Sequence, residues 1–173
     1  YPEVSYMNSD LYKDPAMRLQ RTTFNIPGFN YAKPEVRNYI MAAIRDMVEN
    51  YDYEGLQLEW NRQPLCLEPG ASQAMIDTIT EWHAEIRRLT EHQARKIGKP
   101  YTLGIKYVGS LDQLRTIGLD LREMVRRGLL DFVTPTNDWQ SSWDIPCDEL
   151  RRELGPDVAI YGSIEFSPNY LHG

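Results

Sequence analysis

The sequence predicts an α/β protein with a parallel sheet, because helical and strand patterns alternate along most of its length. Apolar residues recur at three- and four-residue spacing in a stretch that begins at Pro34, and again in a stretch that begins at Ser72. Between these two amphipathic helices, Gly55 is followed by a short segment in which Leu56 and Leu58 alternate with polar residues, as in a strand. A strand between two helices is typical of βαβ units, whose parallel strands are covered by helices.

Two architectures fit this order of elements. One is a small doubly wound parallel sheet, which suits a chain of 173 residues. The other is a TIM (β/α)8 barrel, which needs about 250 residues, so that this chain would supply a little over half of it as a single domain. No glycine-rich phosphate-binding loop follows a predicted strand, which weakens the nucleotide-binding forms of the first architecture.

The first half of the chain contains the two long helices. Residues 1–31 show no clear period, and we expect loop there except for a short strand over 22–26. Pro34 suits the first turn of a helix, which the apolar period extends to about 17 residues. Ser72 is a suitable N-cap for the second helix, which we expect to end near Gly98.

The second half of the chain alternates short helices with strands. The predicted elements are a strand over 101–108, a helical turn over 111–117, a helix from 120 to 127, a strand over 129–135, a helix over 146–154 and a strand over 158–166. Gly118, Gly128 and Gly155 separate these elements, and Arg126 and Arg127 suit the negative end of the helix that they close.

Composition and charge exclude some classes of partner. The net charge of −6 and the pI of about 5.1 leave no basic surface to meet nucleic acid phosphates. No apolar run approaches the roughly 20 residues that span a bilayer. The two cysteines, Cys66 and Cys147, lack metal-ligand spacing, and their number leaves open whether they pair.

Glu59 is the first candidate site residue. With Gln57 and Asn61 it lies on the polar side of the predicted strand between the two long helices. In a parallel sheet covered by helices, this second face points into a barrel or a second helix layer rather than into water. A carboxylate there is costly unless it is paired or used, so Glu59 is either a site residue or part of an ion pair with Arg62 or Lys106.

Four stretches of the chain resemble a bacterial family of glycoside-hydrolase-like proteins with (β/α)8 barrels. The stretches are Asn30–Arg37, Tyr51–Arg62, Gly118–Asp120 and Val125–Val133. By this resemblance, the four predicted strands of the sheet are the fourth to the seventh of a barrel. The family usually has Asp where this chain has Glu54 and Glu59, so the carboxylate at position 59 reaches one methylene further.

The resemblance implies hydrolysis of glycosidic bonds by two carboxyl groups at the carboxyl ends of barrel strands. Glu59, after the fourth strand, is then the acid/base, and Glu165, after the seventh, is the nucleophile. Asp138, after the sixth, is the alternative second carboxylate, although an acid in such a loop also serves to turn the chain. Amylase-like enzymes have a carboxylate where this chain has Lys106, which counts against an amylase-type mechanism.

Aromatic and polar residues near the predicted strand ends are candidates for sugar binding. They are Asn61, Arg62, Lys106, Tyr107, Asn137, Trp139, Trp143 and Tyr161. Aromatic faces stack on sugar rings, and their phenol or indole groups form hydrogen bonds. By its alternation with Glu59, Trp60 is expected in the core, and His83 and His92 are expected on the surface of the second long helix.

We therefore expect a glycoside hydrolase that acts on a poly- or oligosaccharide without a cofactor. The alternatives are a non-catalytic carbohydrate-binding barrel and an unrelated α/β enzyme with a carboxylate-bound metal, for which Glu68 is the only other acid near the Glu59 strand. The expected partner is a carbohydrate, not nucleic acid or a membrane. The remaining barrel strands or a second copy are expected to cover the sheet edges, and the resemblance favours a periplasmic or secreted protein.

Overall fold

The computed structural model describes residues 8–23, 26–61, 65–137 and 144–164. The helices are α1 (Asp10–Lys13), α2 (Pro34–Asn50), α3 (Gln73–Ile97), α4 (Leu111–Thr116), α5 (Leu121–Arg126) and α6 (Cys147–Leu154), with a short 3₁₀ helix at Pro15–Met17. The strands are β1 (Arg18–Thr23), β2 (Ile26–Phe29), β3 (Gly55–Glu59), β4 (Thr102–Val108), β5 (Phe132–Thr136) and β6 (Ala159–Ile160). None of the described helices combines the length and the apolar character needed to cross a bilayer.

The main sheet is parallel and has four strands in the order β3-β4-β5-β6, so that strands adjacent in the chain are adjacent in space. The predicted α/β class is confirmed. An open four-stranded sheet with helices is also compatible with the expected alternative, a small doubly wound sheet. Closure into a barrel is not seen among the described strands.

The two faces of this sheet differ in composition. One face carries Leu103, Ile105 and Val133, which are buried in a single apolar cluster with residues from each of the helices α2–α6. The opposite face is called the polar face here. It carries the polar side chains of Gln57, Glu59, Lys106, Thr134 and Thr136, as the register of the strands requires.

The long helices form where the sequence predicts them. α2 begins at Pro34 and contains 17 residues. Ser72 accepts a hydrogen bond from the backbone N–H of Met75 and caps α3, and Gly98 ends that helix in the left-handed conformation with φ of 68°. These local capping signals fix the bounds of the helices that support the sheet.

Two predicted strands have different bounds in the structure. The third was expected over 129–135, but β5 begins at Phe132, because the backbone N–H groups of Gly128 and Leu129 still bond to carbonyls of α5. The fourth was expected over 158–166, but β6 contains only two residues, followed by one further bridge between Thr136 and Ser163. Residues from 165 onward lie outside the described part of the chain.

The prediction of loop over most of residues 1–31 is wrong. β1 and β2 form an antiparallel pair, with Arg18 opposite Phe29 and Thr23 opposite Ile26. Tyr12 of α1 and Phe29 pack edge to face, with ring centroids 5.4 Å apart. The strand predicted over 22–26 falls across the end of β1 and the start of β2. Both strands are short, so they show little period in the sequence, and their mutual pairing stabilises them.

Candidate functional site

The register of the parallel strands arranges the polar face in rows. Glu59 pairs with Lys106, and Lys106 pairs with Thr134, so that these three side chains lie side by side across β3, β4 and β5. One row nearer the carboxyl ends, Thr136 bridges Ser163. Charged and hydroxyl groups therefore converge at the end of the sheet where α/β proteins bind their ligands.

Glu59 and Lys106 form an ion pair on this face. The carboxylate Oε2 lies 3.7 Å from the ammonium Nζ, which is too long for a hydrogen bond but close enough for an electrostatic contact. The Glu59 side chain is 46% exposed and that of Lys106 is 18% exposed. The carboxylate is therefore paired, as one of the two interpretations of the sequence expects, and it remains accessible to a ligand.

An amide and a hydroxyl form a second polar contact on this face, beside the ion pair and partly nearer the amino-terminal ends of the strands. The Gln57 Nε2 atom donates to the Thr134 hydroxyl at 2.8 Å. This contact runs diagonally across β4, because Gln57 pairs with Gly104 and Thr134 pairs with Lys106. The Phe132 ring lies over Gly104, which has no side chain, and Tyr161 packs edge to face against this ring with centroids 5.8 Å apart.

Several predicted binding residues occupy different surroundings. Asn61 lies two residues after Glu59 and is almost completely buried, and Asn137 follows β5, where its amide Nδ2 donates to the carbonyl of Asp144. Tyr161 lies beyond β6 and is 61% exposed, as a sugar-stacking residue requires. Tyr107 points to the apolar face and is completely buried, which raises the pKa of its phenol. This burial on the apolar face is at odds with the predicted sugar contact.

Five predicted site residues lie outside the described part of the chain. They are Arg62, Asp138, Trp139, Trp143 and Glu165. Both candidates for the second carboxylate are among them, so the described residues supply one half of the predicted pair. Cys66 and Cys147 form no disulfide with each other. Within the described segments, no group of three His, Cys, Asp or Glu residues could hold a metal ion.

Trp60 connects the polar face to the core. Its side chain points to the apolar face and is buried, as the alternation predicts. Its backbone N–H donates to the carbonyl of Lys106 at 2.9 Å, which extends the pairing of β3 and β4 by one residue beyond Glu59. The orientation of the Trp60 ring and the position of the ion pair are thus linked through a short piece of backbone.

His83 was predicted on the surface of α3, and this prediction is wrong. It is completely buried against Trp60 and Trp82, whose ring centroids lie 6.0 Å and 5.3 Å from its own. Burial lowers the pKa of His83 to about 4. The sequence contained a signal for this position, because His83 lies four residues after Ile79 and three before Ile86 on the apolar stripe of the helix.

No protein-family profile matches the chain, and no curated protein matches its sequence.

Proposed function

We propose that this protein is a glycoside hydrolase that cleaves O-glycosidic bonds of a poly- or oligosaccharide, with Glu59 as one of two catalytic carboxylates. The observation that carries the proposal is the accessible Glu59–Lys106 pair on the polar face, at the carboxyl end of a parallel strand. Hydroxyl and amide groups beside it, from Thr134 and Gln57, are of the kind that bind sugar hydroxyls.

We infer further that the sheet is one part of a (β/α)8 barrel. Two features support this. The order β3-β4-β5-β6 follows the chain without a reversal, and each of the helices α2–α6 contributes to the cluster on the apolar face. In such a barrel the polar face points inward and its carboxyl-terminal rim forms the active site. Further strands of the same protein, or of a second copy, then pair with the edge of β3 that has no neighbour among the described strands.

The roles of the individual residues follow from the family resemblance and the contacts together. Glu59 is the acid/base and Glu165 the nucleophile, with Asp138 as the alternative second carboxylate. Lys106 holds the Glu59 carboxylate at 3.7 Å and restricts its orientation. Arg62 and Asn137 bind hydroxyls, the buried Asn61 orients Glu59, and the rings of Trp139, Trp143 and Tyr161 stack on sugar units. The organic chemistry needs no cofactor, because the two carboxyl groups transfer the proton and the glycosyl group.

A second candidate function is carbohydrate binding without cleavage. The observation that favours it is the half-exposed state of Glu59 beside an ammonium group, because a charged pair can accept and donate hydrogen bonds to sugar hydroxyls without transferring a proton. The two candidates share the ligand and differ in turnover. A protein of the second kind binds oligosaccharides with the same residues but releases them intact.

The substitution Glu59→Gln distinguishes these candidates. It keeps the size of the side chain and removes its acid/base function, and general acid catalysis contributes typically about 10²–10⁴-fold. We expect hydrolysis of a panel of aryl glycosides to fall at least a hundredfold, with the fold unchanged by circular dichroism. Glu54→Gln is the matched control, since Glu54 is an exposed glutamate just before the amino-terminal end of the same strand, and it should retain activity.

Each result of this experiment has a direct interpretation. Retention of more than about a tenth of wild-type turnover in Glu59→Gln removes Glu59 from the catalytic pair, since an acid/base contributes far more than tenfold. Calorimetric oligosaccharide binding by wild type without any turnover favours the binding protein. Lower stability of Glu59→Gln with normal turnover identifies the ion pair with Lys106 as structural.

A further inference from the structure

An aromatic side chain that the sequence did not single out lies on the polar face. Phe132 begins β5 and points to the same side of the sheet as Thr134, two residues later. Phe132 pairs with Gly104 of β4, and its ring occupies the space that a side chain at Gly104 would need. The ring therefore lies over β4, one row nearer the amino-terminal ends of the strands than Lys106.

Tyr161 lies in the same row as the ion pair. Its backbone N–H donates to the carbonyl of Val133 at 3.0 Å, so the register of β5 and β6 continues and places Tyr161 opposite Thr134. Thr134 in turn pairs with Lys106, and Lys106 pairs with Glu59. The charged pair, the hydroxyl and the phenol ring thus form one continuous row across four strands.

The Phe132 ring supports Tyr161 from one side. The two ring planes meet at 70°, with centroids 5.8 Å apart. In such a contact the edge of one ring meets the face of the other, so Phe132 covers at most one face of Tyr161. Tyr161 is 61% exposed. Its ring is therefore accessible to a ligand while a neighbour restricts its orientation, and this restriction reduces the entropy that a ligand must remove on binding.

The chemistry of this row matches that of a sugar ring. A pyranose has C–H groups on its faces and hydroxyl groups along its edge. The C–H face stacks on an aromatic ring, and the hydroxyls form hydrogen bonds with polar neighbours. Beside Tyr161, the Thr134 hydroxyl accepts from the Gln57 amide, which directs the hydrogen of that hydroxyl away from the amide. A ligand without a ring would leave the aromatic part of the row unused.

We propose that Tyr161 stacks on a sugar ring bound at the polar face, and that Phe132 is the positioning residue that holds Tyr161 for this contact. The face then selects its ligand by shape as well as by polarity, because the ring must turn a C–H face to Tyr161 and its hydroxyls to Thr134. The inference rests on the carbohydrate site of the proposed function, but it requires no cleavage.

Calorimetric titration of the protein with cellotetraose, xylotetraose, mannotetraose and maltotetraose tests the stacking contact. We expect Tyr161→Ala to weaken binding of the preferred oligosaccharide roughly three- to tenfold, and Tyr161→Phe, which keeps the ring, to retain most of the affinity. Tyr53→Ala is the matched control and should bind as wild type. Tyr53 is 51% exposed and stacks on Tyr51, but it lies before the amino-terminal end of β3.

A double-mutant cycle tests the role of Phe132. We expect Phe132→Leu to weaken binding nearly as much as Tyr161→Ala, and the double variant to lose little more, because both substitutions remove the same contact with the ligand. If the oligosaccharide is hydrolysed, KM should rise while kcat changes little in each variant, as the loss of uniform binding requires. Melting temperatures separate this effect from packing, since a merely structural Phe132 would lower stability without changing the affinity of the folded protein.

The outcomes distinguish this inference from the proposed function. Unchanged affinity in Tyr161→Ala overturns the stacking contact, even if hydrolysis still depends on Glu59. Additive losses in the double variant, or unchanged affinity in Phe132→Leu, overturn the positioning role of Phe132. Binding that depends on Tyr161 without any turnover supports the inference and refutes hydrolysis alone. A wild-type protein that binds none of the four oligosaccharides overturns both.

Discussion

Gly104 lies in the centre of the polar face, where a side chain has no room. A Cβ atom at this position would lie 2.1–2.5 Å from three atoms of the Phe132 ring. We expect Gly104→Ala to destabilise the protein by about 1–3 kcal/mol, because the ring must leave its place over β4. Urea unfolding of Gly104→Ala alone and together with Phe132→Ala checks this reason. Gly104→Ala should lower the free energy of unfolding by less in the Phe132→Ala background, where the ring is absent. An equal loss in both backgrounds would show that the Phe132 ring is not the reason.

His83 makes stability depend on pH. In the unfolded chain its imidazole binds a proton near pH 6.5, whereas burial lowers the pKa in the folded protein to about 4. Between these values the unfolded state holds more protons, so the free energy of unfolding falls as the pH falls through this window, by at most about 3 kcal/mol. Urea unfolding at several pH values should show a steeper loss for wild type than for His83→Phe. Parallel curves for the two proteins would show that His83 does not titrate as described.

At the scale of elements, one carboxylate joins α3 to the amino-terminal ends of the strands. Asp131 binds the guanidinium of Arg87 through both oxygens, at 2.5 Å and 3.1 Å. The same carboxylate accepts from the backbone N–H of Leu103, and the Asp131 carbonyl accepts from that of Ala159. This clamp lies at the end of the sheet opposite Glu59, where α/β proteins place stabilising rather than catalytic residues.

We expect Asp131→Ala to lower the free energy of unfolding by about 2 kcal/mol, because it leaves the half-buried Arg87 and the Leu103 N–H without their acceptor. Asp112→Ala is the matched control. That carboxylate is 85% exposed beside Arg122, and exposed ion pairs contribute less than about 1 kcal/mol. Denaturant unfolding gives both values, and calorimetric sugar binding should not change in either variant. Equal losses in the free energy of unfolding for the two substitutions would show that the Asp131 contacts stabilise the protein no more than an exposed ion pair does.

At the scale of the whole molecule, the proposed barrel implies that the edge of β3 and the exposed apolar side chains beyond β6 are enclosed by further strands. Among the described strands, β3 has a neighbour on one side only, and Tyr161 and Ile164 are 61% and 39% exposed. Unpaired strand edges and exposed apolar groups favour association. Expressed as residues 1–173, the protein should therefore dimerise or aggregate in light scattering, or bind the dye ANS. Replacing Tyr161 and Ile164 with Ser should reduce dye binding. A compact monomer that binds no dye would contradict the barrel and favour a self-contained doubly wound sheet.

Local signals in the sequence determined the long helices and the strand that carries Glu59. Proline at the first turn, Ser72 as a cap and Gly98 as a stop act within a few residues, so the bounds of α2 and α3 could be predicted. Strict alternation likewise predicted that Trp60 is buried and that Glu59 lies on the opposite face. These features depend on backbone geometry that repeats every two or 3.6 residues.

Contacts between distant segments determined the strand pairing, the bounds of the shorter strands and the neighbours of the site residues. The pairing of β1 with β2, the later start of β5 and the position of Lys106 beside Glu59 depend on register, which the pattern of a single strand does not contain. The burial of His83 depends on which neighbours pack against α3, and the sequence pattern alone did not identify Trp60 as one of them. The sequence by itself thus determined the order and faces of the main elements. Tertiary packing decided which polar groups meet, because hydrogen bonds and ion pairs between strands form only after the strands have aligned.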